Sequence, residues 1–267
     1  MKISVVIPSK SMENLVPCVA AVRAYEPSAD VRVVWDQEWH PKIDAHVYFG
    51  EKPFVFARNV NIGIMKAGEF VDGVVILNDD AILQTPGGFS LLAQAAADHP
   101  EYGIIAATTN NVGNPNQQPR GIGLREDPRM VCFVAVYIPR TTIDLVGLLD
   151  ERFVGYGLDD DDYCLRVRNA GLKIGIHDGC FVDHGSLKSA YRGTGPADFS
   201  GNLELFKQKW GMDNWGNPVM SEQCPACKAE LWMVDDGRAY YRCGSVVHLR
   251  TNEMTIPCDK QEKKCAS

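Results

Sequence analysis

Gly73-Val-Val-Ile-Leu77-Asn78-Asp79-Asp80 is an apolar run that passes without a spacer into an amide and two carboxylates. A run this short and this uniformly apolar reads as a strand buried on both faces, the pattern of a central parallel strand. Two similar runs lie upstream: Ile3-Ser-Val-Val-Ile7, closed by Pro8, and Val31-Arg-Val-Val-Trp35, closed by Asp36. Between them the spacing is helical over 12–25, through Leu15, Val19, Val22 and Tyr25, and again over Val55–Ala67 with Gly68 as its stop. Ala45–Phe49 reads as a short strand, Gly87–His99 as a helix, and Gly103–Ala107, Met130–Ile138, Lys173–Ile176 and Cys180–Asp183 as further strands. A short helix is expected from Thr141. This alternation predicts an α/β fold, a mainly parallel sheet flanked by helices.

In such sheets ligands bind at the carboxyl ends of the strands. Ser9, Asp36 and Asn78–Asp80 each come directly after a strand. Two carboxylates within three residues can hold Mg²⁺ or Mn²⁺ against a diphosphate, and they can equally form a turn closed by their own side chains. The segment Thr108–Pro128 is long for a loop in a compact domain, and Gly185–Ser200 is polar and suited to a flap.

A second acidic stretch is Gly157-Leu158-Asp159-Asp160-Asp161-Asp162-Tyr163-Cys164-Leu165-Arg166, at the start of a helix predicted over Asp159–Ala170 and closed by Gly171. Capping and the helix dipole favour one or two acids there, not four, whose mutual repulsion raises their proton affinity. A helix start also holds a general base rigidly. Arg166 stands four residues after Asp162, the spacing of a helical ion pair. His184 comes after the last of these strands and is a candidate nitrogen ligand to an ion held by Asp80.

Taken together, Pro8-Ser9, Ala57-Arg58-Asn59-Val60-Asn61-Ile62-Gly63, Leu77–Asp80, Gly157–Gly171 and Val182-Asp183-His184 resemble the inverting family 2 glycosyltransferases over residues 2–190. The resemblance implies a GT-A, Rossmann-like fold and transfer of a sugar from a nucleotide donor, UDP-sugar favoured, to an acceptor hydroxyl. It implies Asp160 as general base with Asp159 beside it, and Pro8, Ser9, Asp36, Arg58, Asn59, Asn78 and Asp79 around the nucleotide. Asp80 and His184 would hold Mn²⁺ or Mg²⁺; Asn78 stands where the family's metal motif begins with Asp. The acceptor is not specified.

Nine cysteines are unevenly spread. Cys224-Pro-Ala-Cys227, Cys243 and Cys258 have the spacing of a structural zinc ribbon around a hairpin through 231–241, with His248 as an alternative to Cys258 and disulfides as the alternative chemistry. The expected organisation is a GT-A domain over 1–210, a linker over 211–218 and the ribbon over 219–267. A net charge of −7 gives little support for a nucleic-acid partner, and no apolar run is long enough for a membrane span. With a start too short for a signal peptide, a cytoplasmic protein is expected. Competing readings are a nucleotidyltransferase on a related fold, for which Ser9-Lys10-Ser11 is a poor phosphate loop, and a non-catalytic sugar- or nucleotide-binding module.

Overall fold

The computed structural model describes residues 1–127, 129–154, 157–188 and 200–211, and the backbone of four strands between 231 and 256. It comprises two compact units, Met1–Asn202 and Leu203–Ser267. The first runs β1 (Ile3–Ser9), α1 (Met12–Tyr25), β2 (Asp30–Trp35), β3 (His46–Phe49), α2 (Phe56–Ala67), β4 (Gly73–Leu77), β5 (Ile82–Leu83), α3 (Gly88–Asp98), β6 (Tyr102–Thr109), a 3-10 turn (Pro115–Gln117), β7 (Leu124–Asp127), β8 (Ala135–Pro139), α4 (Arg140–Val146), α5 (Asp159–Asn169) and β9 (Lys173–Asp183). Every residue of β1, β4 and β6 is buried, as their continuous apolar runs require. Ser11 caps α1, and Leu15, Cys18, Val19 and Val22 form its buried stripe. Gly63 brings α2 against β1: a Cβ there would stand 2.2 Å from Val6 Cγ1, so any larger residue forces the helix away.

The sheet order is β3-β2-β1-β4-β8-β6-β9-β5, with β7 paired to β9. It is mixed, which corrects the expectation of a mainly parallel sheet. β3, β2, β1 and β4 are mutually parallel, and so are β6 and β9. β8 runs antiparallel to both β4 and β6, and β5 and β7 run antiparallel to β9. No crossover helix separates β6 from β8, and only antiparallel neighbours can do without one.

Three local expectations also change. The region 108–128 contains the 3-10 turn and β7, whose polar sequence Leu-Arg-Glu-Asp carries no apolar alternation. The two strands expected over 173–183 are one, β9, with a register break opposite Ala107 and Thr108. The apolar run expected as a strand over Met130–Ile138 pairs in the sheet only from Ala135. Upstream of it, side chains satisfy the backbone. Gln117 bonds both N–H and C=O of Cys132, Asn114 Nδ2 donates to the Met130 carbonyl, and Asp160 receives the Phe133 N–H.

This topology collects one edge. The carboxyl ends of β1, β2, β4, β6 and β9 meet the amino end of β8, so Ser9, Asp36, Asn78–Asp80, Asn110, Val134 and His184 share a rim. α6 (Ser200–Trp210) comes after β9 in the chain. In the second unit β10 (Leu231–Asp235), β11 (Arg238–Tyr241), β12 (Val246–His248) and β13 (Glu253–Ile256) form an antiparallel sheet in that order, with the expected hairpin over 231–241. Cys224, Cys227, Cys243 and Cys258 lie outside the described residues, as does the side chain of His248, and among the described residues no group of three or more metal-binding side chains occurs. Most of the expected flap, 189–199, also lies outside them. No helix among the described residues is long and apolar enough to cross a membrane.

Candidate active site

The turn after β4 is held from three sides. The Asn78 N–H donates to the Val134 carbonyl at 2.9 Å, and the Asn78 carbonyl receives Ala81 N–H at 3.1 Å. The Ser9 hydroxyl donates to Asp79 Oδ2 at 2.6 Å, with both residues buried. Burial pushes the Asp79 carboxyl up to about 6, the Ser9 bond opposes this, and the charge of Asp80 adds to it. Asp79 is therefore bound to the end of β1.

Asp80 faces the other way. Its Oδ1 lies 3.1 Å from His184 Nε2, while His184 Nδ1 lies 2.6 Å from the Asn111 carbonyl. Only Nδ1–H can serve that carbonyl, so the ring presents Nε2 to Asp80, the orientation that a metal-binding histidine needs. Burial pulls the His184 pKa down, but the bond to Asp80 and its charge together leave it raised. The rim of β6, missed in the sequence, fixes the histidine. Asn110 Oδ1 accepts the His184 N–H at 2.9 Å and its Nδ2 donates to Asp183 at 2.8 Å, while Asn111 Nδ2 donates to the His184 carbonyl at 3.3 Å. The consecutive pair Asn110-Asn111 directly after an apolar strand was the available signal.

On the far side of β1, Asp36 is 4% exposed and its N–H donates to the Ser9 carbonyl at 2.8 Å. Lys52 Nζ donates to the Asp36 carbonyl at 2.6 Å and lies 3.5 Å from Oδ1, which has no hydrogen-bond partner among the described residues. Asn59 is fully buried, and neither atom of its amide is partnered among the described residues. It lies against Gly50, where a Cβ would come within 2.8 Å of both amide atoms. Orphaned buried polar atoms are costly without a ligand, and here three of them fall in residues expected to line a nucleotide. Arg58 is held instead by two carboxylates, Glu51 at 3.9 Å and Glu151 at 3.5 Å. Pro8 is buried within β1.

The acidic stretch enters α5 through two left-handed residues, Gly157 (φ 77°) and Leu158 (φ 72°). A left-handed leucine costs on the order of 1 kcal/mol, and burial of the side chain holds it there. Asp160 Oδ2 receives the Phe133 N–H at 3.4 Å and Oδ1 receives the Asp161 N–H at 3.0 Å. Burial raises the affinity of Asp159, Asp160 and Asp161 for protons, taking Asp159 to about 8 and Asp161 to about 9, and their mutual repulsion adds to it. At Asp160 the Phe133 and Asp161 N–H bonds oppose the effect of burial. Asp162 is fully buried and paired with Arg166 at 3.0 Å, while Arg166 Nη1 also reaches the Val146 carbonyl at 3.0 Å. This ion pair serves the helix.

The structure thus links Ser9 to Asp79 and Asp80 to His184 directly. It joins Asp160 to the β4 turn through neighbouring residues: Phe133 donates to Asp160, and Val134 accepts from Asn78.

No protein-family model matches this chain, and no curated protein matches it in sequence. Many solved structures match its fold. One is GalNAc-T7, solved with UDP, GalNAc and Mn²⁺ (12% identity, TM-score 0.63); the match covers 79% of this chain and 48% of that one, so the chain spans about half the length of GalNAc-T7. Another is Drosophila β1,4-galactosyltransferase 7. A point mutant of that enzyme with manganese, UDP-Gal and xylobiose has 15% identity and TM-score 0.50, covering 76% of this chain and 78% of that one. Its catalytic domain with xylobiose has 13% identity and TM-score 0.52, covering 100% and 98%. At these identities the likeness concerns the backbone: the mixed sheet and its flanking helices are similar to the GT-A fold of these glycosyltransferases.

Proposed function

We propose that the chain is a glycosyltransferase that moves a sugar from a nucleotide donor, with UDP favoured, to an acceptor hydroxyl with inversion at the anomeric carbon. The observation that carries this reading is one rim holding both an Asp80–His184 pair at 3.1 Å and, beside the β4 turn, the hydrogen-bonded carboxylate of Asp160. The UDP and Mn²⁺ in the solved neighbours support the donor and the ion.

An oxygen ligand from Asp80 and a nitrogen ligand from His184, its imidazole oriented by a backbone carbonyl, fit Mn²⁺ or Mg²⁺ and would hold it. Bound there, the ion would offset charge on the departing nucleoside diphosphate. Asp160 takes the proton of the acceptor hydroxyl, and the Phe133 and Asp161 N–H groups aim its carboxylate. Asp36 and Asn59, with their orphaned atoms, bind the nucleoside. In the second unit the cysteines Cys224, Cys227, Cys243 and Cys258 hold a structural zinc. The protein acts in the cytoplasm.

The test is release of UDP from UDP-sugars in the presence of Mn²⁺, followed by product analysis. A product of opposite anomeric configuration to the donor supports the reading. Retention of configuration removes inversion, pyrophosphate release when UTP and a sugar 1-phosphate replace the UDP-sugar identifies a nucleotidyltransferase, and binding without turnover identifies a binding module.

A further inference from the structure

We propose that Gln117 is a positioning residue for Asp160, because it holds the peptide group that, among the described residues, reaches the Asp160 carboxylate from outside α5. The assignment rests on the glycosyl-transfer reading above. Gln117 is fully buried at the end of the 3-10 turn, and its amide bonds both backbone groups of one residue: Oε1 accepts the Cys132 N–H at 2.6 Å, and Nε2 donates to the Cys132 carbonyl at 3.0 Å. That carbonyl and the Phe133 N–H belong to one planar peptide group. With its carbonyl held by Gln117, the group directs its N–H to Asp160 Oδ2 at 3.4 Å. A single rigid unit therefore separates Gln117 from the proposed base.

The turn that carries Gln117 is itself tied to the same segment. Asp127 is buried on β7; its Oδ2 accepts Asn114 Nδ2 at 3.1 Å and Asn116 Nδ2 at 3.0 Å, while its Oδ1 accepts the Arg129 and Met130 N–H groups at 2.8 Å and 3.1 Å. The Cys132 carbonyl also receives the Val134 N–H at 2.8 Å, but that bond lies within the segment and sets no position relative to the turn. Other contacts place α5 as a body: Asn202 Nδ2 donates to the Gly157 carbonyl at 2.7 Å, and Cys164 Sγ lies 3.7 Å from the Val131 carbonyl. Neither touches the Asp160 carboxylate, whose remaining bonds, to Asp161, come from its own helix. Gln117 bonds neither Asp160 nor the Asp80–His184 pair, so it acts through the Phe133 N–H. Small displacements of a base from its reacting hydroxyl are expensive in rate.

The experiment uses the full chain with UDP-galactose and related UDP-sugars and Mn²⁺. It reads steady-state UDP release by Gln117→Met and Asn116→Ala, each alone and combined with Asp160→Asn. Gln117→Met keeps roughly the volume of the side chain and removes both bonds. It is expected to lower kcat at least about tenfold with donor KM within about threefold of wild type, since Asp79 is held from β1 and Asp80 faces His184 at the end of β9. Combined with Asp160→Asn it is expected to cost less than about threefold further, because the base that it positions is gone. Asn116→Ala, at a half-buried site, is expected to lower kcat about fivefold, a loss that also vanishes beside Asp160→Asn; it decides the matter if Gln117→Met does not fold. Unchanged kcat in the folded variants, a loss that lies wholly in donor KM, or the same factor lost with and without Asp160→Asn would overturn the assignment while the wild type still turns over. A wild type inactive on every nucleotide sugar would overturn the glycosyl-transfer reading, and this assignment with it.

Discussion

Asp160 and Asn78 are fastened to adjacent residues of one irregular segment: the Asp160 carboxylate receives the Phe133 N–H at 3.4 Å, and the Asn78 N–H donates to the Val134 carbonyl at 2.9 Å. The proposed base and the turn that carries Asp79 and Asp80 are thereby referred to the same short piece of backbone. Their relative position is set by this segment, whose backbone the side chains of Gln117 and Asn114 hold just before β8 begins.

Replacing Asp160 with Asn keeps the shape and the acceptor for Phe133 but removes the base. Transfer should fall by about 10²–10⁴ in kcat, while binding of the nucleotide sugar, read by thermal shift, changes less than about threefold. Transfer at the wild-type rate would falsify the role of Asp160.

His184 is bonded through both ring nitrogens, so His184→Ala leaves Asp80 alone at the rim. The Mn²⁺ concentration that half-activates UDP release should rise about 10–100-fold, with saturating Mn²⁺ restoring part of the rate. An unaltered Mn²⁺ activation curve would exclude His184 as a ligand.

The carboxyls of Asp159 and Asp161 bind protons more tightly folded than unfolded, at about 8 and about 9 against an ordinary 3.8. Between those limits the folded state holds the extra protons, so the contribution is full below about pH 4 and is lost as pH rises towards 8–9. Asp161→Asn abolishes one of these ionisations. Its melting temperature should exceed that of wild type at about pH 8.5, with the advantage shrinking towards about pH 5. Denaturation series at the two pH values give the sign, and an advantage independent of pH would argue against burial of the charge.

If the second unit is built on four cysteine thiolates, the purified protein carries about one zinc per chain, and treatment with a chelator releases it while lowering the stability of that unit. Cys227→Ser should lose the metal. Elemental analysis showing none, with the thiols titrating as free, would remove the zinc reading.

The sequence by itself determined the buried strands and the polar residues that end them. Five apolar residues running into Asn78-Asp79-Asp80, and four aspartates opening a helix, are local patterns; burial and helix periodicity leave them legible without any partner. The Asp162–Arg166 pair is of the same kind, since helical spacing alone brings those side chains together. Only the tertiary structure decided the rest. The strand direction of β8, the choice of Val134 over solvent by Asn78, the 3.1 Å approach of His184 to Asp80 and the bonding of Asn61 to Leu149 all join residues far apart in the chain. The run 130–134 shows why: its apolar residues suit a strand, but Gln117, Asn114 and Asp160 claim its backbone groups first. The same segment reaches the acidic stretch, because the Phe133 N–H bond to Asp160 opposes the effect of burial on that carboxyl.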